Sequence, residues 1–156
     1  MNESFLHYIW QFQYFNKEFL RTSTGDEITV LKPGFPNSNA GPDFFDAKIR
    51  LGEMEWIGSV EIHVSSSGWR EHKHHEDAAY ENVVLHVVWE ENEIILRKDG
   101  TSLPTLELKG RVDPSLILKY KRIVHGTRSI PCANAIHDVP EIIKMSMLER
   151  ALIARL

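Results

Sequence analysis

One cysteine, Cys132, is the only thiol in this 156-residue chain. An internal disulfide is therefore excluded, and nothing favours an oxidising compartment. No run approaches the ~20 continuous apolar residues of a membrane span, so no membrane partner is expected. The opening residues carry Glu3 and lack a basic stretch followed by an apolar one, so they do not read as a signal peptide. A cytoplasmic protein is the expectation. Positive charge is also scarce: 18 Lys and Arg against 22 Asp and Glu leave a net charge of −4. That balance argues against a protein that coats polyanions nonspecifically, although acidic metal ligands lower the apparent charge until a cation binds. Glycine-rich phosphate loops, G-x-S-x-G and internal repeats are all missing, and nothing orders Cys132 against a histidine, so serine or cysteine nucleophile chemistry has no support.

What remains is ordinary globular material, 42% hydrophobic and 26% charged. It is one domain's worth of chain, able to bury about two-thirds of its unfolded surface. Apolar spacing predicts a helix over 3–20, with Phe5, Ile9, Phe12 and Phe19 in its stripe. A strand over 27–31 follows, then a stretch from Lys32 to Pro42 rich in Pro, Gly and Asn that breaks regular structure. A loop of that length inside a compact domain is usually functional. Strands over 43–51 and 54–64, joined by a tight Gly52-Glu53 turn, form an antiparallel hairpin. The second carries Trp56, Val60, Ile62 and Val64 on one face and Glu55, Ile57, Ser59, Glu61 and His63 on the other. A helix over 72–82 leads to Val83–Trp89, whose composition is that of a strand buried on both faces. Further strands are expected over 93–98 and 105–109, with Asp99-Gly100 as turn chemistry between them. Helices over 114–124, with Asp113 as N-cap, and 140–156 complete the chain, separated by a loop over 126–139.

The fold class is α/β in the α+β sense: a mixed central sheet with flanking helices, an αβββαβ core, and extra C-terminal strands and helices. Residues 1–110 are expected to form the core and 111–156 a helical extension. The last helix keeps Ile142, Met145, Leu148, Leu152 and Leu156 in register without a capping residue. The expectation is that the natural protein continues, and that this stripe packs on a C-terminal region or on a second copy.

Gly41-Pro42-Asp43-Phe44 and Glu61-Ile62-His63 carry the chemistry. Two acids at the starts and middles of adjacent strands can converge on one divalent cation, and His63 shares the Glu61 face. Carboxylate oxygens for Mg²⁺ plus a nearby nitrogen are what metal-dependent phosphodiester hydrolysis needs. Asp46-Ala47-Lys48 is a decoy: both charged residues face away from Asp43 unless a bulge intervenes, which leaves Lys48 as a surface residue. His72, His74 and His75 invite a zinc reading, but there is no HExxH, and a polar start to the second helix accounts for them. His86, the one polar residue in its strand, reads as a hydrogen-bonded core histidine able to reach the Glu61 face.

The strand order together with Pro42-Asp43 and Glu61-x-His63 resembles the PD-(D/E)xK, or restriction-endonuclease-like, nuclease superfamily over just over half the chain. The resemblance implies that Asp43 and Glu61 bind Mg²⁺ or Mn²⁺, with the Ile62 carbonyl as a further ligand. It implies a catalytic set of Asp43, Glu61 and His63 acting on DNA or RNA. His63 stands where the family has lysine. A neutral imidazole can act as general base or ligate a softer cation such as Mn²⁺ or Zn²⁺, but it supplies no fixed charge. The Gly-Pro-Asp-Phe and Val-Glu-Ile-His runs also resemble an uncharacterised bacterial domain family. The competing reading is a catalytically inactive nuclease-like scaffold in which Trp56, Trp69 and Trp89 are packing or docking surface.

Overall fold

The computed structural model describes residues 1–126, 133 and 135–155. Cys132, Leu156 and half of the loop expected over 126–139 lie outside the described residues. The chain divides into two compact units, Met1–Asp113 and Pro114–Leu156.

The first unit is an α+β domain around a mixed, six-stranded sheet. Helix α1 (Glu3–Gln11) begins at Asn2, whose side chain accepts from the Phe5 amide, and buries Phe5, Leu6, Ile9 and Trp10. Strands β1 (Ile28–Lys32), β2 (Phe35–Pro36), β3 (Phe44–Leu51) and β4 (Met54–Ser65) follow. Then come the single-turn helix α2 (Gly68–Glu71), two 3₁₀ turns (His74–Glu76 and Ala78–Tyr80), β5 (Val83–Glu90) and β6 (Thr105–Glu107). The strand order is β1-β3-β4-β5-β6, with β2 added beside β3. The β3–β4 pair is an antiparallel hairpin; β4–β5 and β5–β6 are parallel. Gly52 takes a positive φ of 57° at the hairpin turn, where Leu51 faces Met54. The first six residues of β5 are all buried, as expected of a strand covered on both faces.

Three expected elements differ. The helix over 3–20 stops at Gln11, because Gln13 and Phe19 adopt left-handed φ angles of 56° and 51°. Beyond it the chain is held by Arg111, whose guanidinium donates to the Glu18 and Phe19 carbonyls at 3.1 and 3.3 Å and whose own carbonyl accepts from the Asn16 amide at 2.8 Å. Tertiary hydrogen bonds thus override a weak, aromatic-rich helical pattern. The helix over 72–82 is replaced by α2 and the two 3₁₀ turns: Lys73 is left-handed at φ 60° and Asp77 is extended, capping Ala79 instead. The strand over 93–98 reduces to one bridge between Leu96 and Ser102, and Ile95 instead packs with Leu103, Trp69 and Val83.

The second unit holds α3 (Pro114–Val124), a 3₁₀ turn (Ile136–Asp138) and α4 (Glu141–Ile153). In α4, Ile142, Leu148, Leu152 and Ile153 are exposed. Among the described residues, no helix is long and apolar enough to cross a membrane.

Candidate metal centre

The loop before β3 is organised by Asn37. Its side-chain amide donates to the Pro42 carbonyl at 2.9 Å, and its backbone amide donates to the Asp43 carbonyl at 2.7 Å. Asp43 is thereby delivered to the end of β3. From the pair Phe44–Val60, one further step of antiparallel register sets Asp43 opposite Glu61, and the parallel register sets Glu61 beside His86. Asp43, Glu61 and His86 therefore form one row on a single face across β3, β4 and β5. The bulge at residues 45–46, with Asp46 at φ 53°, keeps Phe44 and Ala47 both buried. It leaves Asp46 exposed and sends Lys48 to an ion pair with Glu55.

Asp43 and Glu61 clasp each other through the backbone. The Asp43 amide donates to Glu61 Oε2 at 3.1 Å, and the Ile62 amide donates to Asp43 Oδ2 at 2.9 Å. The amide and carbonyl of one strand residue share an edge, so the Ile62 carbonyl lies on the side of Asp43. His7 of α1 reaches Asp43 Oδ2 with Nε2 at 3.3 Å, and this contact raises the His7 pKa.

The other oxygen of Glu61 faces nitrogen. His74 Nε2 lies 3.1 Å and His63 Nε2 3.7 Å from Glu61 Oε1. His63 Nε2 is 3.1 Å from His72 Nδ1, and His63 Nδ1 is 2.9 Å from His86 Nε2. The His74 ring stacks on Tyr80 at 3.8 Å. His74 Nε2 is buried without a hydrogen-bond partner despite its closeness to Glu61, and His86 Nδ1 is likewise unpaired. Gly68 makes room for the His63 ring: a Cβ at this position would stand 2.6 Å from His63 Cδ2.

Burial governs the electrostatics, since Glu61, His63 and His86 are 5%, 2% and 0% exposed. Burial, reinforced by the Asp43 charge, pushes the Glu61 carboxyl up to about 9. Burial first and neighbouring imidazoles second push His63 down to about 3. His86 falls to about 3 and His74 to about 4 for the same reasons. His63, His74 and His86 are thus neutral at physiological pH, and the contact of His74 with Glu61 is not a charged pair.

All three sequence-derived residues, Asp43, Glu61 and His63, meet at this centre. His63 stands as a neutral ring with both nitrogens engaged by other imidazoles, so it does not reproduce a lysine charge. The reading of His72, His74 and His75 as a polar helix start is corrected: His72 and His74 fold onto Glu61 and His63, and only His75 stays outside, beside Glu76. His7 gave no sequence signal, because nothing local distinguishes it from other half-exposed helix positions. A cavity of about 840 Å³ adjoins the centre, with His74, Trp69 and Tyr80 on one wall and Arg97 and Trp56 on others.

A family model described as a protein of unknown function (DUF2851) matches residues 3–156. No curated protein matches the chain, and no solved structure does.

Proposed function

From the premise that the chain belongs to the DUF2851 family, we propose that its first unit is a divalent-metal-dependent, nuclease-like domain hydrolysing phosphodiester bonds in DNA or RNA. The observation that carries the reading is the reciprocal clasp of Asp43 and Glu61, which gathers two carboxyl groups and the Ile62 carbonyl at one strand edge. Those oxygens suit Mg²⁺ or Mn²⁺, which when bound would neutralise phosphate charge and acidify water. A Glu61 carboxyl that holds its proton, through burial first and the Asp43 charge second, also fits a site for a cation, whose positive charge would offset both.

The arrangement of β3, β4, α2 and β5 supports the PD-(D/E)xK likeness, with the first acid at the head of one strand and the second on its antiparallel neighbour. Near neutral pH the His63 ring is a proton acceptor or a ligand and never a cation. The neighbouring cavity, with Trp56, Tyr80 and Arg97 on its walls, offers aromatic and cationic contacts of the kind a nucleotide uses. A cytoplasmic setting belongs to the same reading, in keeping with the single cysteine.

A second reading, an inactive scaffold, is favoured by one feature. Among the described residues no Lys or Arg pairs with Asp43 or Glu61, so the family's fixed cation is missing. Nicking of plasmid DNA and cleavage of RNA, with Mn²⁺ or Mg²⁺, decide between them. Activity in the wild type that is lost in Asp43→Ala supports hydrolysis. No cleavage of either substrate from pH 5.5 to 8.5 leaves the scaffold.

A further inference from the structure

We infer a second metal site, distinct from the oxygen-rich edge at Asp43 and Ile62, that takes a borderline-soft divalent cation of the zinc class on His63 Nε2, His72 Nδ1, His74 Nε2 and Glu61 Oε1. The three imidazole nitrogens lie within 4.8 Å of one another. Three of the edges joining the four donors measure 3.1, 3.1 and 3.7 Å. A tetrahedral centre with bonds near 2.0–2.1 Å has donor–donor edges of roughly 3.3 Å, so the set is already close to the geometry zinc requires. His72 is the exposed member of the set.

Independent features point to the same ligand. The unpartnered, buried nitrogen of His74 aims at Glu61 without making a hydrogen bond, which is the condition of a donor waiting for a cation. His86 serves as an outer support: with His63 Nδ1 donating to His86 Nε2, the other nitrogen of His63 keeps its lone pair for a metal. The broken helix is explained as well. In a continuous helix His72 and His74 would project about 200° apart. The left-handed Lys73 between them turns both toward His63.

Chemistry separates the two sites. Three imidazoles and one carboxylate suit Zn²⁺, whereas Mg²⁺ takes oxygen. Glu61 belongs to both, offering Oε2 toward Asp43 and Oε1 toward the imidazoles. Paired cations sharing a carboxylate are a recurrent arrangement in phosphodiester hydrolysis. The zinc site itself stands whether or not this chain cleaves nucleic acid.

The test is titration of EDTA-treated full-length chain with Zn²⁺ by calorimetry, together with the visible spectrum after Co²⁺ substitution. The expected results are a single high-affinity Zn²⁺ per chain and the intense absorption of four-coordinate Co²⁺. His72→Ala and His74→Ala are each expected to weaken Zn²⁺ binding by about 100-fold or more, beyond the usual cost of losing an outer support. His75→Ala, outside the cluster beside Glu76, is expected to leave it unchanged. His72 is exposed, so its variant keeps the fold, which far-UV circular dichroism checks. Wild type without Zn²⁺ binding, a six-coordinate Co²⁺ spectrum, or affinity that survives both folded variants would overturn the inference. Zinc binding without cleavage would instead overturn only the hydrolase.

Discussion

His63 and His86 meet ring nitrogen to ring nitrogen, Nδ1 to Nε2 at 2.9 Å, with their planes at 81°. Both rings are almost wholly enclosed by protein. One proton therefore serves two nitrogens, and removing either ring strands the other. His86→Phe keeps the volume and deletes the bond, so urea unfolding of the metal-free protein should show a loss of about 1–3 kcal/mol. His86→Ala adds a cavity and should cost more, in total about 3–5 kcal/mol. A His86→Phe protein as stable as wild type would show that the pairing contributes nothing net.

The metal-free protein should be most stable near pH 6.5. Below that value the unfolded chain binds protons on its histidines, whereas His63, His86 and His74 in the fold resist protonation down to about 3, 3 and 4. Stability is thus lost as pH falls, each histidine contributing up to ~1.4 kcal/mol per pH unit. Glu61 acts in the opposite sense: with its folded value near 9, its contribution is lost as pH rises above 4.5. Three histidines outweigh one carboxyl below pH 6.5; above it Glu61 gives a decline of ~1.4 kcal/mol per pH unit, to which the raised His7 adds as it loses its proton. Denaturant midpoints from pH 5 to 9 check the shape, and Glu61→Gln should remove most of the alkaline decline, leaving the smaller part due to His7. A flat profile in the wild type would refute the assignment.

Asp43 has a structural duty besides any metal. Its Oδ2 satisfies the Ile62 amide, so Asp43→Ala should destabilise the metal-free protein by about 1–3 kcal/mol. Asp43→Asn retains an acceptor for that amide and should cost less than ~1 kcal/mol, while abolishing Mg²⁺ or Mn²⁺ binding. Calorimetry with Mn²⁺ alongside urea unfolding separates the two roles; equal destabilisation by both substitutions would argue against the clasp.

Gly68 is needed for its size, since an added methyl would overlap the His63 ring at 2.6 and 2.9 Å. Gly68→Ala should cost about 1–3 kcal/mol through overpacking. It should also displace the His63 ring, which chemical shifts of the imidazole protons would register. A neutral substitution with unmoved His63 resonances would show that α2 yields freely.

The elements whose local pattern and tertiary contacts agree were legible in the sequence. The hairpin, the buried strand at Val83–Trp89 and the shared face of Asp43, Glu61 and His63 all follow from alternation and turn chemistry. What was illegible depends on distant partners. Nothing within residues 12–20 announces that Arg111 will hold their carbonyls. His72 and His74 lie two apart, a spacing that no helical zinc motif uses, and only a left-handed Lys73 lets them converge. His7 reaches Asp43 from another element altogether.

The parallel pairing of β4 with β5 has a consequence for the order of assembly. Residues 66–82 must travel back along the sheet before β5 can dock, and His72 and His74 ride on that return path. The β3–β4 hairpin closes over a two-residue turn, and His72 stands only 9 residues beyond its partner His63, at the start of the crossover. His86 lies 23 residues from His63 and reaches it only once β5 has docked. Short loops close sooner than long ones. During refolding the ligands are therefore gathered before the support that His86 gives to His63, and a zinc-sensitive dye should register capture ahead of the last step of sheet formation.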